Sequence, residues 1–337
     1  MGLIDDVINL TLDAFRFKDT IIYKENSDLQ DKYDALKKLN EEYQNNEDLQ
    51  SELYIVKKGL DGENEITYQL KKSHIGMYVL RDIKVSYGDL TAQIDYVIIT
   101  PVYTYYVECK NLVGNITVTD KGDFIREFTI NGRKIKKGMY SPLRQVEAQR
   151  EVIRKIWEDN TSKFTKFFAS KNFENYRKVL VVAANQDTIL NTNRAPKDMK
   201  YKILRADSLV RQIEYDLNHR SKDDYIFTKN EMEEKAQSYI EVSTKNKIDY
   251  YELYKAKFCS NDKNVVKDDL KERLIELRKN RSNEMGIPAY YVFTNEELEK
   301  LVEVRPLTID QLKKSNIISS IKIKTHGQQI IEEIIKK

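Results

Sequence analysis

Residues 93–111 read QIDYVIITPVYTYYVECKN. Two runs rich in Val, Ile and Tyr flank Pro101, the composition of strands buried on a sheet. Yet Asp95 lies inside the first run, and Glu108 and Lys110 close the second. A charge withdrawn from water is costly unless it is paired, hydrogen-bonded or bound to a metal. Strand side chains alternate between faces, so Gln93 and Asp95 share a face, as do Glu108 and Lys110. If the two runs are neighbours, all four groups converge at one end of the sheet.

Two chemistries fit that convergence. Two carboxylates at a strand end can hold Mg²⁺ or Mn²⁺, hard cations that prefer oxygen ligands. A neighbouring lysine can then orient a water or offset charge on a phosphate. Glu63, in GLDGENEITYQLKKS, is a candidate third carboxylate. The plain alternative is a solvated Glu108–Lys110 pair with Asp95 capping a turn. The D…ExK spacing alone leaves both open.

The rest of the chain narrows the class. Its 337 residues allow two or three domains. The net charge is only +3, but residues 59–267 hold 36 basic against 29 acidic side chains, while residues 1–58 hold 8 against 13. The middle of the chain is therefore the part suited to a polyanion. The two cysteines and three histidines are scattered, which excludes a disulfide framework or a zinc ribbon. No apolar run approaches the ~20 residues of a membrane span, and no secretory leader is visible. A cytoplasmic, reducing location is expected. No G-x-x-x-x-G-K-[ST] motif is present, so no NTP-driven motor is expected.

Along the chain, residues 1–56 read as a helical arm. Leu3, Ile4, Val7, Ile8, Thr11, Ala14 and Phe15 make one apolar face, suited to packing on the next domain, on a second copy of the chain, or on a membrane surface. Ser27 and Gln30 form a capping-box pair ahead of a second helix. A further helix is expected to open near Gly62. Strands follow at 77–85, 92–100 and 102–110, then two short ones around Gly122. Pro142 opens a helix, and residues 178–184 read as a buried strand. Residues 216–265 read as a polar, helical connector. The last 70 residues read as a helical bundle with Phe293, Leu298, Leu301, Leu312 and Ile321 in its core, a helix ended by Gly286, and capping boxes at Thr294/Glu297 and Thr308/Gln311. The basic run from Arg133 to Lys178 includes Lys134, Lys136, Lys137, Arg144, Lys163 and Lys166, and reads either as a solvated helix face or as a grip on a nucleic-acid backbone.

The motifs from 57 to 215 resemble the nuclease-related domain (NERD) of the PD-(D/E)XK nuclease superfamily. They are G-x-x-G-E at Gly59, Gly62 and Glu63, Q-I-D at Gln93, Ile94 and Asp95, E-x-K-N at Glu108, Lys110 and Asn111, G-N-I from Gly114, and S-P-x-x-Q at Ser141, Pro142 and Gln145. The resemblance implies an α/β fold with an αβββαβ core and metal-dependent cleavage of nucleic acid, DNA rather than RNA, in repair or defence against foreign DNA. It casts Asp95, Glu108 and Glu63 as ligands of Mg²⁺ or Mn²⁺, with Glu63 an accessory ligand or base. Lys110 would position or activate water, with Gln93, Gln145 and Arg144 beside the substrate. Ile94 stands where the superfamily has Pro. A non-catalytic nucleic-acid-binding or adaptor protein on the same fold is the alternative.

The stretch from Leu277-Arg278 through Pro288, Val292-Phe293, Arg305-Pro306 and Leu312 resembles the HRDC domain, over roughly 266–337. A glycine turn expected near its end is replaced by Ile317, Ile318, Ser319 and Ser320. Nucleic acid and a protein partner, such as a separate helicase, both remain open for this module.

Overall fold

The computed structural model describes residues 17–44, 46–130, 132–160, 173–244, 248–259 and 270–336. The helix expected over 3–16, Lys163, Lys166 and residues 260–269 lie outside them. Two compact units form, Met1–Cys259 and Ser260–Lys337.

The first unit opens with β1 (Thr20–Lys24), α1 (Asp28–Glu42) and α2 (Glu47–Lys71). Then come β2 (Met77–Tyr87), β3 (Leu90–Ile99) and β4 (Thr104–Lys110). A smaller excursion follows, with β5 (Asn115–Val118), β6 (Phe124–Ile130) and β7 (Arg133–Met139). The chain returns through α3 (Pro142–Asn160), α4 (Phe173–Tyr176) and β8 (Arg177–Ala183). The unit ends with β9 (Leu190–Asn191), α5 (Lys197–Lys200), β10 (Ile203–Arg205), α6 (Ala206–Asn218), α7 (Lys229–Val242) and α8 (Tyr250–Phe258). The expected αβββαβ core is α2-β2-β3-β4-α3-β8.

The main sheet runs β1-β2-β3-β4-β8-β10, with β2, β3 and β4 antiparallel and the other pairs parallel. Both faces are covered. Leu80, Val97, Tyr106 and Val181 pack with Val146 and Val152 of α3 and with Met232 and Ala236 of α7. On the opposite face Tyr96, Ile98, Tyr105 and Val107 pack with Ile66 and Leu70 of α2 and Leu209 and Ile213 of α6. Sheets covered on both faces read as continuous apolar runs, the pattern that marked residues 93–111.

Four elements differ from the sequence expectation, and one is β7, where Lys134, Lys136 and Lys137 lie on an edge strand and not on a helix face. Thr20–Lys24 is a strand inside the supposedly helical arm, because β-branched Thr20, Ile21 and Ile22 extend the sheet beside β2. No helix opens near Gly62; α2 starts fifteen residues earlier, capped by the Asn46 side chain on the Leu49 amide, and Gly59 and Gly62 lie within it. Residues expected as a connector lie in this unit: α7 joins the sheet core, and Tyr250 and Tyr254 of α8 pack with Leu36, Leu39 and Leu49. The arm boundary expected at residue 56 falls inside α2.

The second unit holds α9 (Leu270–Met285), α10 (Ala289–Val292), α11 (Asn295–Val304), α12 (Ile309–Lys314) and α13 (Ser320–Ile335). Gly286 is left-handed after α9, Thr294 and Glu297 form a full capping box, and Thr308 caps α12. Leu274, Phe293, Leu298, Leu301 and Leu312 are core. Ile321 is not: it is 77% exposed, because Ser319 caps α13 and sets the helix so that Ile323 turns inward. Ile317 and Ile318, at the expected glycine turn, fill the core while Asn316 takes the left-handed position.

Gly62 lets α2 meet the end of β4. A Cβ there would come 2.5 Å from Asn111 Cβ, whereas one at Gly59 would come 3.0 Å from the mobile end of Leu29. Gly62→Ala should destabilise the protein by about 1–3 kcal/mol through overpacking. Gly59→Ala should be near neutral, its contact offset by up to about 1 kcal/mol of helix propensity. Urea unfolding of the two variants checks the contrast.

Candidate active site

The ladder between strands breaks where the charges lie. β2 and β3 pair Arg81 with Tyr96 and Ile83 with Ile94, but no ladder pair joins Asp82 and Asp95. β3 and β4 pair as far as Tyr96 and Val107. Beyond that, the Cys109 amide donates to Asp95 Oδ2 at 2.7 Å, so a carboxylate takes over from a backbone carbonyl. Asp82 is left-handed, with φ of 51°, and the face alternation slips there: Tyr78, Leu80, Ile83 and Val85 all meet the α3-side core. Gln93 and Asp95, on the neighbouring strand β3, both line one cavity. Asp82 Oδ2 accepts from the Asp28 amide at 2.8 Å, and its Oδ1 from Gln93 Nε2 at 2.7 Å.

Glu108 and Lys110 face α3. Glu108 is 2% exposed, so it is not the solvated residue of the plain alternative. Its Oε1 pairs closely with Lys110 Nζ, which also donates to Gln145 Oε1 at 3.3 Å. Its Oε2 accepts from Gln149 Nε2 at 3.3 Å, and the same amide donates to the Gln93 carbonyl at 2.6 Å. Gln145 and Gln149 are one helical turn apart on α3, whose start is fixed by Pro142 and by Ser141 Oγ accepting from the Arg144 amide. Gln149 Oε1 is buried without a partner among the described residues.

Glu63 approaches from α2. Its carboxylate pairs with Arg81 Nη2 at 2.9 Å, both side chains largely buried. Tyr96 OH donates to the Glu63 carbonyl at 2.5 Å and meets Thr67 Oγ1 at 2.8 Å, which ties helix to sheet. Burial pushes the Glu63 carboxyl up, with Arg81 opposing. Asp95 is driven well above the usual carboxylate range, first by burial and then by the charge of Glu108, with the Cys109 amide bond opposing.

These groups line one cavity of about 750 Å³. Glu63, Gln93, Asp95, Glu108, Lys110 and Gln145 are all there. Arg144 is not; it is exposed. Lys32, Asp82 and Gln149 line the cavity and were missed by sequence reasoning, and Lys155, from the basic run 133–178, lines it too. Asp82 and Arg81 carried the same signal as Asp95, charges inside an apolar strand, and Gln149 sits at i+4 from Gln145. Lys32 is a helix-surface lysine with no distinguishing sequence signal.

Among the described residues no three His, Cys, Asp or Glu side chains gather closely enough to hold a metal. Glu63 is engaged by Arg81, which leaves Asp95 and Glu108 as the carboxylate pair facing the cavity. That set fits Mg²⁺ or Mn²⁺, since Mg²⁺ keeps several waters and takes one or two carboxylates plus phosphate oxygens. It does not fit a closed structural zinc site, which needs four protein ligands. The raised Asp95 carboxyl and the orphan Gln149 Oε1 both point to a cavity unsatisfied by protein alone.

The nuclease-related domain (NERD) matches residues 58–182, and the HRDC domain matches residues 267–334. No curated protein and no solved structure matches the chain. The chain therefore carries a nuclease-related domain followed by an HRDC domain. No helix among the described residues is long and apolar enough to cross a membrane.

A carboxyl raised in the folded state binds its proton there more tightly than in the unfolded chain, so stability falls as pH rises through that window. Asp95→Asn keeps an acceptor for the Cys109 amide and removes the charge. In chelator, the variant should match the wild type near pH 4 and gain thermal stability as pH rises, levelling off above the raised pKa. Each kcal/mol gained moves Tm by about 2–4 °C in a domain of this size. Thermal melts across pH measure the difference.

Proposed function

We propose that this protein is a metal-dependent nuclease that hydrolyses phosphodiester bonds of nucleic acid, DNA rather than RNA, at the Asp95–Glu108–Lys110 site. The observation that carries the reading is the delivery of both carboxylates and the lysine from two strands into one cavity, on a domain matched by the nuclease-related family.

Asp95 and Glu108 would hold the cation, which when bound supplies Lewis acidity toward a phosphate oxygen and a lowered pKa for water. The chain's own groups set the rest. The Cys109 amide fixes Asp95, and Gln149 fixes Glu108. Gln145 and Glu108 together hold Lys110 Nζ at the cavity wall, where an ammonium can orient water or offset developing phosphate charge. Glu63 supports the site through Arg81 and is proposed as an outer carboxylate. Lys32 and Lys155 would hold the backbone at the cavity edge, the role first assigned to Arg144. The HRDC unit is read as a second nucleic-acid contact, consistent with its family. Work in DNA repair or in defence against foreign DNA is an analogy with the family alone.

Purified protein should cut labelled DNA with Mg²⁺ or Mn²⁺ and not with EDTA. Asp95→Ala and Lys110→Ala should each lower the rate by about 100-fold or more. Cleavage that survives both substitutions would remove the chemistry from this site. Metal-dependent binding without cleavage of any DNA or RNA substrate would make the protein a non-catalytic binder.

A further inference from the structure

The smaller sheet has order β7-β6-β5-β9, and its outer edge is the β6–β7 hairpin. At its base Phe124 pairs with Met139 and is packed into the main core. Beyond that base the ladder continues through Arg126 with Lys137, Phe128 with Ile135, and Ile130 with Arg133. Left-handed Gly132 turns the tip. Between Phe124 and Met139 stand five basic side chains and one acidic one. Glu127 is engaged by Lys136 at 2.7 Å. Arg133, Lys134 and Lys137 are exposed and carry no ion pair among the described residues. Arg126 lies 4.6 Å from the Phe128 ring centre and donates from Nε to the Val113 carbonyl, which braces the ribbon from below.

Strand β7 leads directly into the site. Tyr140, one residue past its end, lines the cavity, and α3 follows with Gln145 and Gln149. From Met139 to Arg133 the strand spans roughly 20 Å at about 3.4 Å per residue. The cationic hairpin thus runs from the cavity edge by roughly the rise of six base pairs; β5 backs its first half, from Phe124 to Glu127, and the two-stranded part is Phe128–Ile130 with Arg133–Ile135.

We infer that the β6–β7 hairpin is a docking ribbon for double-stranded DNA, laid along the groove and phosphates of the duplex that enters the cavity. Charge complementarity names a polyanion, and shape names the duplex. A two-stranded ribbon fits the major groove of B-form DNA, about 12 Å wide, whereas that of A-form RNA is deep and too narrow for side chains to read. Exposed Ile130 at the tip and Phe128 behind it add apolar surface that suits base edges such as thymine methyls. The inference rests on the nuclease reading only for what the ribbon delivers to the cavity; binding can be measured without cleavage.

The test is fluorescence anisotropy of a short labelled DNA duplex with the full chain, in EDTA, over a range of salt. The variant is R133Q/K134Q/K137Q, three exposed positions; a melt matching the wild type confirms that it folds. Each lost phosphate contact removes about 0.9 from the slope of log affinity against log salt. The variant should lose about 2–3 from that slope and bind roughly ten-fold or more weakly at moderate salt, while K134R/K137R retains wild-type behaviour. An unchanged slope, tighter binding of an RNA duplex of the same sequence, or no duplex binding by the wild type would each overturn the inference. The nuclease reading is judged separately, by Mg²⁺- or Mn²⁺-dependent cleavage and its loss in Asp95→Ala. A wild type that binds with the ribbon-dependent slope but cuts nothing removes the nuclease reading and supports the ribbon.

Discussion

The site depends on the substitution of side chains for backbone where β2, β3 and β4 pass the level of Asp95. The ladder carries no Asp82–Asp95 pair and stops between β3 and β4 at Tyr96 and Val107. Amides without a ladder partner must find other acceptors, and the Cys109 N–H finds the Asp95 carboxylate; the first-turn amide of α1 at Asp28 finds Asp82 in the same way. Carboxylates that would otherwise be a burial penalty thereby serve as structural acceptors. The cavity lies at the same break, for Asp82, Gln93, Asp95, Glu108 and Cys109 all line it.

Charge balance inside the cavity follows from that break. Each carboxylate has a different partner: Arg81 for Glu63, Lys110 and Gln149 for Glu108, the Cys109 amide for Asp95. Of these three, Asp95 is the one held by an amide and not by a cation, and burial beside Glu108 drives its proton affinity up. Groups pushed this far by burial and by like charge are typical of sites that await a cation or a proton. Arg81 also decides what Glu63 does. A buried ion pair is expensive to break, so Glu63 is better suited to hold the wall than to enter a coordination shell.

Much of this was legible in the chain. Residues 93–111 announced the strands, the charges within them announced the site, and Pro142, Gly286 and the Ser and Thr caps announced helix ends because capping is local chemistry. What was not legible depended on contacts distant in sequence. Arg81 and Asp82 carry the same anomaly as Asp95, but nothing local says that Arg81 meets Glu63 or that Asp82 is left-handed. β7 reads as a basic run because edge strands carry lysine instead of apolar alternation; the Asn131-Gly132 dipeptide before it was the available hairpin signal. Ile321 and Ile323 are equally apolar, and only the cap at Ser319 sets which one turns inward. Arg144 neighbours Gln145 in sequence but points elsewhere, since successive helix positions lie 100° apart.

The spaced motifs acquire a mechanical meaning once placed. In G-x-x-G-E, Gly62 is where α2 touches Asn111 of E-x-K-N, and Asn111 Nδ2 donates to the Lys58 carbonyl on the same helix. One residue past that contact, Glu63 has its carbonyl held by Tyr96 and its carboxylate by Arg81. Residues separated by about fifty positions thus form one joint between helix and sheet, and the carboxylates on either side of it keep their spacing only while the joint is closed. Gly62 is required there for the approach itself, since the close contact leaves no room for a methyl group. A motif glycine with ordinary helical backbone, twenty positions ahead of Asp82 at the strand break, is explained by what touches it rather than by how it bends.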